Sequence, residues 1–196
     1  MEDFERKRLS FLQALEVSPR QRPHFERMYT IRIKAGQARI LRELGMFGDH
    51  GCRFFNPHWV TVLRTSGDAN QLGSIIRYAV SFPKLTFRMV LEKIISDRFL
   101  MYRIQDGFAR DGIFVFGIDP IGQDVCSLSI YVAFDFPRGK NALKGLLWRL
   151  FQLLFPGYVH DVIWNHALCQ LKHIIESDRE EPAVPAGHFS HFSEPG

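Results

Sequence analysis

Among the 196 residues of this chain, His160 is the side chain whose type and place could most readily do chemistry. A helical projection of the residues after Tyr158 puts it in the middle of an apolar face, between Ala167 and Leu171 in angle. A histidine there should point into the fold. It could orient a ligand carbonyl or shuttle a proton near neutral pH. Its plainer role is structural: a histidine near a helix start, satisfied by a backbone carbonyl or a tyrosine, as buried polar groups usually are.

The other reactive side chains carry weaker signals. "GDHGCRFFNPHW" gathers Asp49, His50, Cys52 and His58, types that can ligate zinc. Their spacing matches no closed site, and Gly48, Gly51 and Pro57 mark a loop, so no metal is expected there. His166, Gln170 and His173 form a row at i, i+4 and i+7, but no carboxylate joins them. They read as the polar boundary of a helix. Cys126 and Cys169 would need a base to act as nucleophiles; His166 neighbours Cys169, yet no third group completes a triad. No G-x-S-x-G, Walker or Rossmann glycine pattern occurs. Neither a metal nor a cofactor is expected.

Composition narrows the class. With 46% hydrophobic and 23% charged residues the chain is an ordinary soluble globular protein by content, and 18 Phe are the unusual feature. Many aromatics mean either a bulky core or a large apolar cavity. The net charge of +4 is spread along the chain without a block of five basic residues, and no reader motif accompanies it. No nucleic-acid partner is expected. "MEDFERKRLSFLQALE" contains no apolar h-region, which argues against a secretory signal, and the three cysteines form no obvious framework. A reducing cytoplasm is the expected compartment.

The elements that must position these residues follow from periodicity. Residues 3–16 read as an amphipathic helix with Phe4, Phe11, Leu12 and Leu15 on one face. "HFERMYTIRI" alternates as a first strand, and a short helix through Ile40, Leu41 and Leu44 follows. From about residue 58 to 136 the chain reads as six strands with turn signals between them: "HWVTVLRT", "GSIIRYAVSF", "LTFRMVLEKI", "RFLMYRIQ", "GIFVFGI" and "VCSLSIYVAFDF". That is an antiparallel meander, since no βαβ alternation is present. "LLWRLFQLLF" is too short to span a bilayer and is interrupted by Arg149 and Gln152. It suits a lid or a membrane-contacting helix over residues 146–155, or a helix packed on the sheet end. From Tyr158 a long helix carries Ile163, Trp164, Ala167, Leu168 and Leu171 on one face, with Asp161, Asn165, Lys172 and Glu176 opposite. The domain reading is an N-terminal helical extension over 1–22, one domain over 23–177 and a disordered tail over 178–196.

A sheet of seven antiparallel strands with one apolar face needs a cover, and the last helix has an apolar stripe that needs burial. That element order, closed by "VAFDFPRGKNALKGLLWRLFQLLFPGYVHDVIWNHALCQLKHIIE", resembles the helix-grip superfamily. This superfamily (SRPBCC) includes the START lipid-transfer domains, the birch-pollen allergens and the polyketide cyclase/dehydrase group. The resemblance covers roughly residues 24–176 and implies an α+β helix-grip fold: a curved seven-stranded antiparallel sheet wrapped around a long C-terminal helix. It also implies a deep hydrophobic cavity between sheet and helix.

Strand parity indicates what would line such a cavity. Inward go Tyr29 and Ile31; Tyr78, Val80 and Phe82; Phe87, Met89 and Leu91; Leu100, Tyr102 and Ile104. Phe114, Phe116 and Ile118 follow, then Leu128, Ile130, Val132 and Phe134, with Trp59 ambiguous. The expected ligand contacts are Tyr29, Trp59, Phe82, Phe87, Met89, Phe114, Phe116, Ile130 and Phe134, joined from the helix by Trp164, Ala167 and Leu171. The opposite parity carries Arg77, Arg88, Glu92, Arg103, Ser127 and Ser129 and is expected to meet solvent. No carboxylate falls on the inward set, which disfavours two-carboxylate chemistry.

The expected function is binding of a hydrophobic, lipid-like or cyclic/aromatic small molecule in an enclosed cavity. The alternative is an enzyme on the same scaffold, a cyclase, aromatase or dehydratase for a polyketide- or terpenoid-like substrate, with His160 and Tyr78 or Tyr102 (or Tyr29) as acid/base groups. A third reading is a membrane-docking module led by residues 146–155, with a membrane surface as partner.

Overall fold

A computed structural model describes residues 2–17, 23–81, 84–136, 145, 146, 150 and 157–177. The elements in chain order are α1 (Glu2–Ala14), β1 (Phe25–Ile33), α2 (Gln37–Gly45), β2 (Val60–Ser66), β3 (Ile75–Val80), β4 (Leu85–Ile95), β5 (Phe99–Ile104), β6 (Ile113–Gly122), β7 (Val125–Phe134) and α3 (Gly157–Ser177). A 3-10 turn occupies Gly107–Ala109 between β5 and β6. Phe82 lies outside the described residues, as do the tail 178–196 and, apart from Leu146 and Leu150, the 146–155 segment.

All seven strands pair antiparallel in the order β1-β7-β6-β5-β4-β3-β2. Each of β2 to β7 pairs with its neighbour in sequence, so one long connection suffices: the one that places β1 beside β7. The β4–β5 hairpin turns on Ser96 and Asp97, both with positive φ (50° and 53°), the central pair of a primed-type turn closed by the Arg98 N–H, which donates to the Ile95 carbonyl at 2.9 Å. The side chain of Gln37, at the start of α2, donates to the Asp97 carbonyl at 3.0 Å and ties that hairpin to the helix.

The concave face behaves as period-two alternation dictates. Met89, Leu91, Leu100, Tyr102, Phe116, Leu128 and Ile130 form one buried cluster with Trp164, Ala167, Leu171 and Ile175 of α3. The helix is pinned to β1 by polar contacts as well. Lys172 Nζ donates to the Arg32 carbonyl at 2.8 Å, and the Glu176 carboxylate accepts from the Lys34 backbone N–H at 2.7 Å and from Lys172 at 2.6 Å. Lys172 and Glu176, assigned by the helical projection to the solvent side, reach round to do this.

The convex face departs from expectation. It is not simply solvated: Phe99, Met101, Ile113, Val115, Tyr131 and Ala133 form a second buried cluster beneath Phe11, Leu12 and Leu15 of α1. Ser129, expected in solvent, is buried too. The N-terminal helix therefore caps the back of the sheet. Gly117 makes the fit possible, because a Cβ at that position would collide with the Phe11 ring. Phe11 meets Phe99 edge-on at 5.2 Å. A buried ion pair fixes the helix laterally: Arg8 Nε lies 2.5 Å from Glu26 Oε1, which also accepts from the Tyr131 hydroxyl at 2.5 Å.

Candidate functional site

The site lies where the N-terminal end of α3 crosses the concave face. Phe25 and Phe134 stack there at 4.8 Å, and the His160 ring stands edge-on to Phe25 at 5.0 Å. Trp164, one turn along α3, meets Phe114 at 5.1 Å and Phe55 at 4.7 Å. Tyr78 of β3 stacks on Phe87 of β4 at 4.8 Å on the facing wall. These rings, except Phe55, surround a cavity of about 70 Å³, also lined by Trp59, Met89, Phe108, Phe136 and Ile163.

That volume is much smaller than the deep cavity the resemblance implies. Pockets that hold drug-sized ligands run to roughly 300–1,000 Å³. The physical reason is Phe47, from the loop after α2. Its ring is fully buried at the centre of the concave face, 5.8 Å from Phe114, 5.5 Å from Phe116 and 6.0 Å from Trp164. Arg64 of β2 holds that loop in place. Its guanidinium donates to the Gly45 and Phe47 carbonyls at 2.7 and 2.9 Å and to Asp49 Oδ1 at 2.6 Å. Asp49, a candidate metal ligand by type, is thus the partner of Arg64.

Outside the cavity lies a wider groove of about 320 Å³ between residues 54–57 and α3. Trp59 and Ile163 line both spaces, so they form the partition between them. His166 and Ala167 belong to this groove.

His160 lines the cavity half-buried, and the protein uses both of its ring nitrogens. The Trp164 indole Nε1–H donates to Nε2 at 3.2 Å. An indole nitrogen can only donate, so Nε2 is the acceptor and the proton sits on Nδ1. Nδ1–H then donates to the Tyr29 hydroxyl at 2.8 Å, and the hydroxyl donates to Asp161 Oδ1 at 2.6 Å. Arg27 Nε stands 3.3 Å from the same carboxylate oxygen. The partners assign the tautomer, and a continuous chain of hydrogen bonds links the cavity wall to two half-exposed charged side chains. Burial is the main force on His160 and holds its pKa down to about 4; Asp161 pulls it upward and Arg27 downward. Burial, then the bond to Asp161, pushes the Tyr29 hydroxyl well above its ordinary value.

Tyr78 differs from Tyr29. It lines the cavity, and its hydroxyl makes no hydrogen bond among the described residues. Burial alone pushes its pKa upward.

Of the residues singled out from sequence, His160, Tyr78, Trp59, Phe87, Met89, Phe114, Phe134 and Trp164 meet around the cavity. Tyr102 does not line it: it is fully buried, 6.1 Å from Phe114, and is not brought to His160. Phe116, Ile130 and Leu171 are packed core beyond the cavity, Ala167 faces the outer groove, and Tyr29 stands behind His160. Phe47, Arg64 and Asp161 were missed. Phe47 and Arg64 sit on a loop and a strand edge where no periodicity points inward, and Asp161 falls on the polar side of the helical projection.

No protein-family profile matches the sequence, and comparison with curated proteins gives no match. Solved structures do match. A point mutant of Thalictrum flavum norcoclaurine synthase, in complex with a transition-state analogue, superposes with a TM-score of 0.55 at 9% identity, over 80% of this chain and 96% of that one. A protein from Chromobacterium violaceum gives 0.53 at 15% identity, over 77% and 96%. One from Thermus thermophilus gives 0.53 at 13% identity, over 79% and 99%. At such identities the likeness establishes the fold alone, the α+β helix-grip fold.

Proposed function

We propose that this protein binds a small hydrophobic, cyclic or aromatic molecule between its sheet and α3. The observation that carries the reading is the lining itself. Nineteen of the described residues surround the cavity, nearly all aromatic or aliphatic, and none of them is Asp, Glu, Lys or Arg. An apolar enclosure with a few directed polar groups is the usual form of a small-molecule site. Size limits the occupant. A benzene-sized ring needs about 150 Å³, so the walls must give, and Trp59 is the wall that opens onto the wider groove. Native mass spectrometry of freshly purified protein tests the reading: a 1:1 adduct of a lipophilic compound, released on denaturation, is expected. A bare chain that also takes up no added apolar ring would refute it.

A second reading, catalysis on a cyclic substrate, draws on the His160–Tyr29–Asp161 chain, which could carry a proton from the cavity to the surface. A general base works best with a pKa near the working pH, and His160 lies near 4, so binding is the stronger reading. His160→Phe separates the two: a carrier keeps its affinity, whereas an enzyme loses turnover with its fold intact.

A membrane contact through residues 146–155 has the support of Leu146 and Leu150, 54% and 43% exposed. No described helix is long and apolar enough to cross a membrane. Pelleting with anionic vesicles, abolished by Leu146→Glu, tests the contact. A reducing compartment fits the three free thiols, of which Cys169 is exposed.

A further inference from the structure

We infer that the cavity selects uncharged ligands bearing one hydroxyl or carbonyl group, and that the Tyr78 hydroxyl is the residue that recognises it. The inference rests on the reading that the cavity binds an apolar molecule, and it names the chemistry of that molecule.

Besides the indoles of Trp59 and Trp164, two polar side chains among the described residues line the cavity, and their states differ. His160 is committed: Nε2 accepts from Trp164, and Nδ1 donates to Tyr29. A ligand that engaged His160 would have to displace one of those bonds and leave a buried donor or acceptor without a partner, which costs as much as the new bond contributes. Tyr78 is uncommitted, since its hydroxyl makes no hydrogen bond among the described residues while its ring is locked against Phe87. A hydroxyl can donate to a ligand carbonyl or exchange a bond with a ligand hydroxyl. Its strand, β3, is paired on both sides, with β2 and with β4, which holds it still.

Charge is excluded by the same inventory. None of the lining residues among those described is a lysine or arginine, so a carboxylate or phosphate entering the cavity would lose its hydration and gain no counter-charge from them. His160 supplies none, because both ring nitrogens are already engaged and a second proton would have to displace the Trp164 bond. Aspartate and glutamate are also missing from the described lining, so an amine fares no better.

A matched trio of probes tests this: toluene, 4-methylphenol and 4-methylbenzoate at pH 7, titrated into the full chain and read by NMR shifts of the cavity residues. The wild type should bind 4-methylphenol about 3- to 10-fold more tightly than toluene, the span of one neutral hydrogen bond. It should bind 4-methylbenzoate about 100-fold more weakly than 4-methylphenol, or more weakly still. In Tyr78→Phe the phenol should drop to the affinity of toluene, with toluene itself unchanged. The toluene measurement shows that the variant's cavity is intact, and the wild-type series stands whether or not the variant folds. Equal binding of phenol and toluene, benzoate binding as well as phenol, or an unchanged phenol preference in Tyr78→Phe would each overturn the selectivity while leaving apolar binding in place. If none of the three moves a cavity resonance, the binding reading falls and the inference falls with it.

Discussion

Nδ1 of His160 stands 2.8 Å from the hydroxyl of Tyr29, across the seam where α3 meets β1. This contact makes the seam sensitive to pH. Burial holds folded His160 near 4, below its ordinary 6.5. Between those values the unfolded chain binds a proton that the folded protein does not, so stability rises with pH through that window. It should be fully present above about pH 6.5, fall as the pH drops, and level off near 4, with an amplitude of up to about 3 kcal/mol. Urea unfolding of the wild type and His160→Gln at several pH values checks this. The variant should lose most of the slope between pH 4 and 6.5; identical slopes would mean that His160 is not the group responsible.

Phe47 is the side chain that keeps the cavity small, and its removal should be costly and permissive at once. Phe47→Ala should lower the unfolding free energy by about 3–5 kcal/mol, the usual cost of deleting a buried aromatic ring. The enlarged space should then bind ring compounds that the wild type takes poorly, seen as a larger rise in melting temperature with 4-methylphenol. A variant that is destabilised but gains no ligand response would show that the space collapses.

Trp59 separates the cavity from the groove, so it should control exchange rather than affinity. Trp59→Ala should speed ligand release by a factor of about 10, which corresponds to a barrier lower by about 1.4 kcal/mol. Stopped-flow displacement measures the rate. An unchanged rate would place the entrance elsewhere.

On the back of the sheet, Gly117 and Phe11 share one space. Gly117→Val should push α1 off the sheet and destabilise the fold by roughly 1–3 kcal/mol, as overpacking does. Hydrogen exchange of the Phe11–Leu15 amides should accelerate. Adding Phe11→Ala should restore part of the loss, so that the two substitutions are not additive.

Much of this architecture was legible because strands advertise themselves by alternation. Tyr78, Phe87, Met89, Phe114 and Phe134 fall on one parity, and the cluster facing α3 contains all of them. Three features escaped for physical reasons. A bulge between Leu91 and Lys93 swaps the faces of β4, so Ile94 packs inward after Leu91, and no Gly or Pro announces it. Met101, on the convex face, shares its strand parity with the charged Arg103, and only the apolar stripe on α1 hinted that Met101 and Val115 were covered. The fill of the cavity depends on Phe47, a loop residue whose direction is set by Arg64 through backbone carbonyls. Composition reports how much aromatic area a chain has; it does not report whether that area surrounds a space or fills it.

An apolar molecule bound by this protein should occupy the space between Phe87, Phe114 and Trp164. Isotope-filtered NOE spectroscopy on the labelled protein with bound 4-methylphenol addresses it directly. Cross-peaks from the ligand ring to the side chains of those three residues are expected. Cross-peaks confined to Val162 and His166 of the outer groove, with none to Phe114, would contradict it.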